Sequence, residues 1–198
     1  MSVCQNMNVY DFDGTIYDGD CTVDFFLFAL KHKPSLIRFF PKQATGFLLY
    51  AMKRIGKTQM KEYFFSFLSG VDAQKLVKDF WKQNKCKIYE WYLKQWQADD
   101  MIISASPEFL LEPICRKMGV RHLIASRVDV QSGKFFGENC RGEEKVRRLA
   151  AEYHITHIDN FYSDSYSDFP MARIANRAFL AKKGILREWK GIQVHEQR

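Results

Sequence analysis

The chain has 198 residues, of which 46% are hydrophobic, 15% aromatic and 27% charged, and its formal net charge is +7. This length and apolar content allow one domain, or one domain with a small insert, and exclude an intrinsically disordered chain. Five scattered cysteines without a C-x-x-C pair favour reduced thiols in the cytoplasm over a disulfide scaffold. Neither a secretion signal nor an apolar run of about 18 to 20 residues is evident, so we expect no leader and no membrane span.

The predicted elements start with a short strand over residues 6–11, which a Gly-Thr turn follows directly. Apolar residues then recur at helical spacing from residue 21 to residue 96, and this spacing predicts helices throughout the stretch. The last of these helices is predicted to run unbroken over residues 72–97. Strand and helix patterns alternate after it, and the tail over residues 187–198 is expected to fray. The alternating patterns are a strand at 101–103, a helix starting at Ser106-Pro107, a strand at 122–130, a helix at 143–154, a strand at 158–162, a helix at 169–175 and a strand at 178–181.

Charge and aromatic content divide the chain at nearly the same boundaries. Residues 31–97 hold 14 Lys and Arg against 4 Asp and Glu, together with 14 of the 30 aromatic residues, whereas the rest of the chain has a net charge of −3. We therefore predict an α/β fold with a parallel sheet, formed by residues 1–20 and 98–198. Residues 21–97 are predicted to form an inserted α-helical cap. The excess positive charge is compatible with a nucleic acid, a membrane surface or an anionic substrate.

The strongest chemical signal is the segment 11–15, Asp-Phe-Asp-Gly-Thr, which comes directly after the first predicted strand. Asp11 and Asp13 can converge on one point if the chain turns there, and Gly14 permits such a turn. Two adjacent carboxylates need a cation to stay ionised, and Mg²⁺ prefers hard oxygen ligands of this kind. One carboxylate could then act as a nucleophile and the other as an acid/base. The alternative interpretation is an ordinary Asx turn.

A second signal is Ser104-Ala105-Ser106, which follows the apolar run at residues 101–103. A serine at a strand end, next to a helix N-terminus, offers a hydroxyl and backbone N–H groups to an anion. The alternative is a plain helix cap by Ser106 with Pro107 as the first helical residue. Both interpretations can hold together, with Ser106 as the cap and Ser104 as the anion ligand.

Two weaker signals follow in the second half of the chain. Lys145 lies near a predicted helix start, where a cation is unfavourable for the helix dipole, so it is a candidate for neutralising a phosphate. Its alternative is a solvated surface lysine. Asp164 and Asp168 follow a predicted strand four residues apart and could share a face at a metal site, or they could simply form a turn or a helix cap. All four signals fall at the carboxyl ends of predicted parallel strands, where open α/β sheets bind ligands.

The order of these signals resembles the four-motif signature of the haloacid dehalogenase-like hydrolase superfamily. A helical insert between the first and second motifs is similar to the phosphoserine-phosphatase-like subfamily. The resemblance implies a Rossmann-like three-layer core with a cap that governs substrate specificity. An Asp at position 13, in place of Ala or Thr, implies a phosphatase and not a dehalogenase or an ATPase. The matching motifs are Asp11-x-Asp13-Gly14-Thr15, Ser104, Lys145, and Asp164 with Asp168.

The resemblance also implies a role for each of these residues. Asp11 would attack phosphorus and form an aspartyl-phosphate, while Asp13 would protonate the leaving group and then activate water. The cofactor would be Mg²⁺, held by Asp11, by the backbone carbonyl of Asp13 and by Asp164. Ser163 is a departure from the pattern, since the family often has Gly before this metal-binding Asp.

The remaining motif residues would surround the phosphate. Ser104, Ala105 and Lys145 would bind the phosphoryl oxygens, and Asp168 would support the lysine and the metal shell. The physical chemistry agrees, because phosphoryl transfer depends mainly on charge neutralisation and in-line positioning.

Substrate choice has fewer signals. In the phosphoserine phosphatases an acidic residue after the first motif holds the substrate's ammonium group, and Asp20 could do so here, although it could equally be a helix N-cap. The matching cap segment, residues 62–68, contains no arginine for a substrate carboxylate. The substrate is thus expected to be a small phosphorylated metabolite that the sequence does not assign further.

Two alternatives concern larger partners. The stretches at residues 123–126, 142–146 and 162–165 resemble phosphatidylglycerophosphate phosphatases of the same superfamily, which would imply a lipid phosphate and peripheral membrane contact through the cap. The basic aromatic cap could instead bind nucleic acid without being enzymatic. No groove-reading helix, RNA-binding signature or zinc knuckle is evident in the sequence, so nucleic acid is not the expected partner.

Overall fold

The structure is a computed structural model that describes residues 7–189. Its centre is a six-stranded sheet with the order β3-β2-β1-β4-β5-β6. The first five strands pair in parallel and β6 pairs with β5 in antiparallel orientation, so the predicted parallel sheet is in fact mostly parallel. The strands are β1 (Asn8–Tyr10), β2 (Met101–Pro107), β3 (His122–Ser126), β4 (Ile158–Ser163), β5 (Ala175–Lys182) and β6 (Ile185–Glu188).

Apolar side chains cover both faces of this sheet, because neighbouring residues of a strand point to opposite sides. Val9 and Ile103 belong to one hydrophobic cluster, whereas Tyr10 and Ile102 belong to the other. Helices α7 and α8 contribute to the first cluster and α6 to the second, so the predicted α/β architecture is confirmed. These three helices are α6 (Glu108–Met118), α7 (Glu143–Tyr153) and α8 (Phe169–Arg173).

Five further helices lie between β1 and β2, where the sequence predicts an insert. They are joined by 3₁₀ turns at Pro34–Phe39, Ser66–Gly70 and Lys85–Lys87. Their apolar side chains share the cluster that contains α6, so the insert packs directly on the core. The five helices are α1 (Cys21–His32), α2 (Phe40–Ala51), α3 (Lys57–Phe65), α4 (Ala73–Asn84) and α5 (Glu90–Gln95).

The predicted single helix over residues 72–97 is wrong. Helix α4 ends at Asn84, and Ile88 and Tyr89 have extended backbones. The N–H of Tyr89 donates to the carbonyl of Ile16 at 2.9 Å, and the N–H of Asp18 donates to that of Lys87 at 2.8 Å. The chain leaves the helix here because it pairs with the loop that follows β1, a contact that helical periodicity does not reveal.

Three boundaries in the second half also differ from the prediction. Strand β3 ends at Ser126, and Val128 instead forms an isolated bridge with Phe135. Strand β5 begins at Ala175, three residues earlier than predicted, and the predicted helix before it stops at Arg173. The predicted frayed tail begins too early, since β6 and the buried Trp189 include its first residues.

Two expectations concern the chain as a whole. Within residues 7–189, no helix is both long enough and apolar enough to cross a bilayer. Four of the five cysteines lie in this range and none of the four forms a disulfide. Cys4 and Asn6, the latter being the first residue of the first predicted strand, lie outside the described residues.

Candidate active site

The loops after β1, β2 and β4 open into one cavity of about 590 Å³ at the carboxyl edge of the sheet. This is the position at which parallel sheets bind ligands, because the turns that leave neighbouring strands diverge there. Helices α1, α2 and α3 of the insert form the other wall. Every residue that the sequence nominated lines this cavity, namely Asp11, Asp13, Asp20, Ser104, Ala105, Lys145, Asp164 and Asp168.

Asp11 lies at the end of β1, where its backbone N–H still donates to the carbonyl of Tyr162 at 2.8 Å. Its side chain is almost fully buried, and its Oδ1 accepts a hydrogen bond from Lys145 Nζ at 2.7 Å. Burial raises the pKa of Asp11, and Lys145 opposes this effect. The sheet therefore fixes the backbone of this carboxylate, and one buried cation partly offsets the cost of burying its charge.

Lys145 lies in the first turn of α7 and is only 1% exposed, so it is not the solvated surface lysine of the alternative interpretation. Its Nζ donates at 2.7 Å to Asp11 and at 2.7 Å to Asp168. Burial alone would lower the pKa of Lys145, but the two carboxylates raise it. The ammonium group therefore stays charged next to the nominated nucleophile.

Asp168 completes this buried triad from the turn before α8. Its Oδ2 also accepts a hydrogen bond from Ser163 Oγ at 2.9 Å, while its Oδ1 has no partner within the described residues. Ser163 is the residue that departs from the family pattern, and its hydroxyl accepts the N–H of Ser165 as well, at 3.2 Å. The serine thus adds two hydrogen bonds that a glycine would lack, and both stabilise the loop that carries Asp168.

Asp13 points toward the start of α1. Its Oδ1 accepts the backbone N–H of Cys21 at 2.7 Å, and its Oδ2 accepts the hydroxyl of Ser106. Burial is the main cause that raises the pKa of Asp13. The prediction that Ser106 caps a helix is therefore wrong: Pro107 is the N-cap, α6 begins at Glu108, and Ser106 positions Asp13 instead.

Asp164 packs against the turn after β1. Gly14 has a φ of +70°, and a Cβ at this position would collide with the Asp164 carboxylate. The backbone N–H of Asp164 donates to Thr15 Oγ1 at 2.8 Å, which ties the two loops together. Burial raises the pKa of Asp164. Gly14 is thus needed both for the turn and for the close approach of a second carboxylate to the site.

Ser104 and Ala105 occupy an irregular stretch of β2, where the register with β3 shifts between Ser104 and Pro107. Ser104 Oγ accepts the N–H of Ser106 at 3.1 Å, so this loop is internally fixed. For Asp20 the helix-cap interpretation is confirmed, while binding of a substrate amine stays a prediction. Its carboxylate caps α1 by accepting the N–H groups of Thr22 and Val23, at 2.9 and 3.0 Å, and it also lines the cavity.

The cavity contains cations that the sequence analysis missed. Lys57 and Lys61 enter it from α3, and Arg141 enters from the loop before α7. Lys61 Nζ donates to the carbonyl of Ala105 and to Asn139 Oδ1, both at 2.8 Å. It therefore joins the insert to the segments that carry Ala105 and Asn139. Residues 62–68 contain no arginine, but Lys61 lies immediately before them. The i, i+4 spacing of the two lysines was the available signal.

The donors in the cavity fit a hard divalent cation. Two carboxylates, those of the buried Asp11 and the partly buried Asp164, face it from adjacent loops, near the buried ammonium group of Lys145. Within residues 7–189, no three Asp, Glu, His or Cys side chains form a metal cluster by themselves. A site here would therefore need a backbone oxygen or water beside the two carboxylates, which is compatible with the coordination of Mg²⁺.

Comparison with known proteins gives one family match. The sequence model of haloacid dehalogenase-like hydrolases matches residues 9–173, which include every nominated residue. A probable phosphatase of Mycobacterium tuberculosis is 37% identical over 106 residues, an alignment that covers 46% of this chain and 37% of the relative. The chain thus spans well under half the length of the curated relatives it matches.

Two solved structures share the fold over most of the chain. A protein of unknown function from Bordetella pertussis Tohama I has a TM-score of 0.71 at 19% identity, covering 89% of both chains. A phosphoserine phosphatase solved as a phospho-aspartyl intermediate analogue has a TM-score of 0.56 at 17% identity, covering 91% of this chain and 88% of the other. At these identities the likeness concerns the fold.

Proposed function

Because the chain belongs to the haloacid dehalogenase-like hydrolases, we propose that it is a phosphatase that hydrolyses phosphomonoesters through an aspartyl-phosphate on Asp11. The observation that carries this proposal is the buried Asp11–Lys145–Asp168 triad at the floor of the cavity. A lysine that is 1% exposed, with a carboxylate on each side, favours the charged form of the attacking carboxylate and offers positive charge to an incoming phosphate.

The first half-reaction forms a bond between an Asp11 oxygen and phosphorus and breaks the ester P–O bond. The leaving alkoxide takes a proton from Asp13, whose Oδ1 accepts the backbone N–H of Cys21 at the start of α1. In the second half-reaction Asp13 takes a proton from water, whose oxygen attacks phosphorus. The bond to Asp11 then breaks, inorganic phosphate leaves and Asp11 is regenerated.

The phosphoryl oxygens would be held by Ser104, Ala105 and Lys145. Asp168 is a positioning residue, since it fixes Lys145 from the side opposite Asp11. The cofactor in this proposal is Mg²⁺, held by Asp11, Asp164 and the Asp13 carbonyl. Such an ion would supply charge neutralisation between the phosphate and the Asp11 carboxylate.

Residues 21–97 act in this proposal as the cap that selects the substrate, while residues 1–20 and 98–198 act as the catalytic core. The leaving group would lie between the α3 lysines and Asp20. The cations Lys57 and Arg141 can bind an acidic group of a small metabolite, and the Asp20 carboxylate can bind an amine.

A lipid phosphate is the second candidate substrate, and one observation favours it. The apolar side chains Val23 and Phe47 line the cavity and are nonetheless 44% and 50% exposed. An acyl or glyceryl chain leaving the cavity would meet these side chains instead of charged groups.

The test is a screen of purified protein with Mg²⁺ against phosphoserine, sugar phosphates, nucleotides, lipid phosphates and p-nitrophenyl phosphate. Turnover of at least one ester is expected, with loss in chelator and recovery on adding Mg²⁺. Absence of turnover for every ester, or turnover that a chelator leaves unchanged, would contradict the proposal.

A further inference from the structure

Large apolar side chains are exposed unevenly over this molecule. Of the 13 that are exposed within residues 7–189, eight lie between Val23 and Met52, on α1, α2 and the chain joining and following them. Scattered single apolar residues are ordinary on a protein surface, but a cluster of this kind marks an interaction site. The eight are Val23, Leu27, Ile37, Phe40, Phe47, Leu48, Tyr50 and Met52.

Helix α2 carries several of these exposed side chains, because only one of its sides packs on the rest of the insert. One side of it packs on α3, where Gly46 lets Tyr63 approach closely and Gln43 Nε2 donates to the carbonyl of Phe64 at 2.9 Å. The opposite side carries Pro41, Ala44, Leu48 and Ala51, all exposed and all uncharged. We call these four residues the α2 face. Their spacing of three and four residues places them on one side of the helix.

Rings connect the apolar cluster to the mouth of the cavity. Phe26 and Phe40 have ring centroids 5.9 Å apart, Phe26 and Phe64 5.3 Å, and Phe64 and Phe47 6.4 Å. Phe47 lines the cavity and is half exposed. Phe26 is buried and Phe64 is partly buried, so these rings pack beneath the surface and connect the exposed Phe40 to Phe47 at the cavity mouth.

The charge around this surface has one sign. Between Phe25 and Lys61 the sequence holds eight Lys and Arg and no Asp or Glu. Arg38 and Lys42 lie at the start of α2, and Lys53 and Arg54 follow its end, all four exposed. An uncharged helix side with basic residues at both ends is typical of elements that lie in the interface of an anionic membrane.

We propose that the α2 face docks on an anionic lipid bilayer, with the cavity mouth at the membrane surface. Leu48 and its neighbours would enter the acyl boundary, and the flanking cations would lie at the lipid phosphates and strengthen binding. A second copy of the chain fits less well, because a two-fold interface would bring two positive surfaces together. A nucleic acid would use the cations but not the uncharged α2 face. The inference concerns a surface and does not depend on the phosphatase proposal.

The test measures sedimentation with vesicles of phosphatidylglycerol and phosphatidylcholine. Leu48→Ser removes the apolar anchor, and its matched control is Ile185→Ser, since both side chains are 61% exposed. Lys53→Glu with Arg54→Glu reverses the flanking charge. Its control, Lys75→Glu with Lys78→Glu, lowers the net charge equally on exposed residues of α4.

Wild type is expected to sediment with these vesicles, less so at high salt, and weakly with phosphatidylcholine alone. Leu48→Ser and the Lys53/Arg54 pair should each weaken binding by about tenfold or more, while both controls stay within about threefold of wild type. No sedimentation of wild type, or equal losses in variants and controls, would overturn the proposal. So would a dimer in solution that Leu48→Ser dissociates without any vesicle binding.

The folding of each variant is checked by circular dichroism and thermal unfolding, without reference to turnover. Failure of catalysis and failure of docking are thereby distinguishable. An inactive wild type that still binds vesicles contradicts only the phosphatase proposal.

Discussion

The floor of the cavity and the ends of α2 hold their cations in opposite environments. At the floor, the Lys145 ammonium is buried and held by two carboxylates at 2.7 Å each. At the ends of α2, Lys53 and Arg54 are exposed and form no ion pair within the described residues. Buried pairs fix geometry, because losing one partner is costly, whereas exposed cations attract at long range and are screened by salt. The cations of this chain therefore occupy two different kinds of environment.

Among changes at the floor of the cavity, Asp11→Asn should have the largest effect on turnover. The amide cannot attack phosphorus, so kcat for p-nitrophenyl phosphate should fall by about a thousandfold or more. The matched control is Asp99→Asn, because this carboxylate is 79% exposed and does not line the cavity. This variant should keep wild-type turnover. Near-normal turnover in Asp11→Asn would exclude Asp11 as the nucleophile.

Lys145→Met should have the largest effect on stability. It leaves Asp11 and Asp168 buried without their cation, so the free energy of unfolding should fall by about 3 to 5 kcal/mol in urea titration. Arg116→Met removes a surface pair with Glu112 and should cost less than about 1 kcal/mol. Equal losses in the two variants would mean that burial does not distinguish these cations.

Lys61→Met tests an intermediate case, since this partly buried cation has two neutral oxygens and no carboxylate as its hydrogen-bond partners. Loss of its bonds to Ala105 and Asn139 should reduce the free energy of unfolding by about 1 to 3 kcal/mol at neutral pH. A loss below the error of the titration would show that Lys61 does not fasten the insert to the core.

The same variant has a pH signature. Burial lowers the pKa of Lys61 to about 8 in the folded protein. Above this pH the unfolded chain binds more protons at Lys61 than the folded protein does, so the contribution of Lys61 to stability rises with pH. The deficit of Lys61→Met should therefore grow by about 2 to 3 kcal/mol between pH 7 and pH 10.5. A constant or shrinking deficit would contradict this assignment.

Leu48→Ser should have the smallest effect on the folded protein. Its side chain is 61% exposed, so the free energy of unfolding should change by less than about 0.5 kcal/mol. Turnover of p-nitrophenyl phosphate without vesicles should match that of wild type. A large loss of stability would mean that Leu48 is part of the folded core and not a docking surface.

The local sequence pattern was sufficient to place the candidate residues that follow predicted strands. Asp11, Ser104 and Asp164 could be placed at one sheet edge, because each follows a predicted strand that an apolar run identifies, whereas Lys145 was identified by its position near a helix start. Their chain order then matched a known family. The broad α/β pattern and the helical insert were predictable for the same reason.

Features that depend on long-range contacts could not be predicted in this way. The break after Asn84 exists because Tyr89 pairs with Ile16, 73 positions away in sequence. Ser106 fits the pattern of a helix cap, yet it donates to Asp13. Lys61 resembles any helical lysine until the fold places it against Ala105. Strand β6 was missed because a short, partly exposed antiparallel edge strand has a weak apolar pattern.

The most direct test of whether Asp11 carries the phosphoryl group is rapid acid quench of turnover with a ³²P-labelled ester. Wild type with Mg²⁺ should retain a protein-bound label that hydroxylamine removes, as expected for an acyl-phosphate, and peptide mapping should place it on Asp11. Asp11→Asn should carry no label. Turnover by wild type without any bound label, or an equal label on Asp11→Asn, would contradict the account.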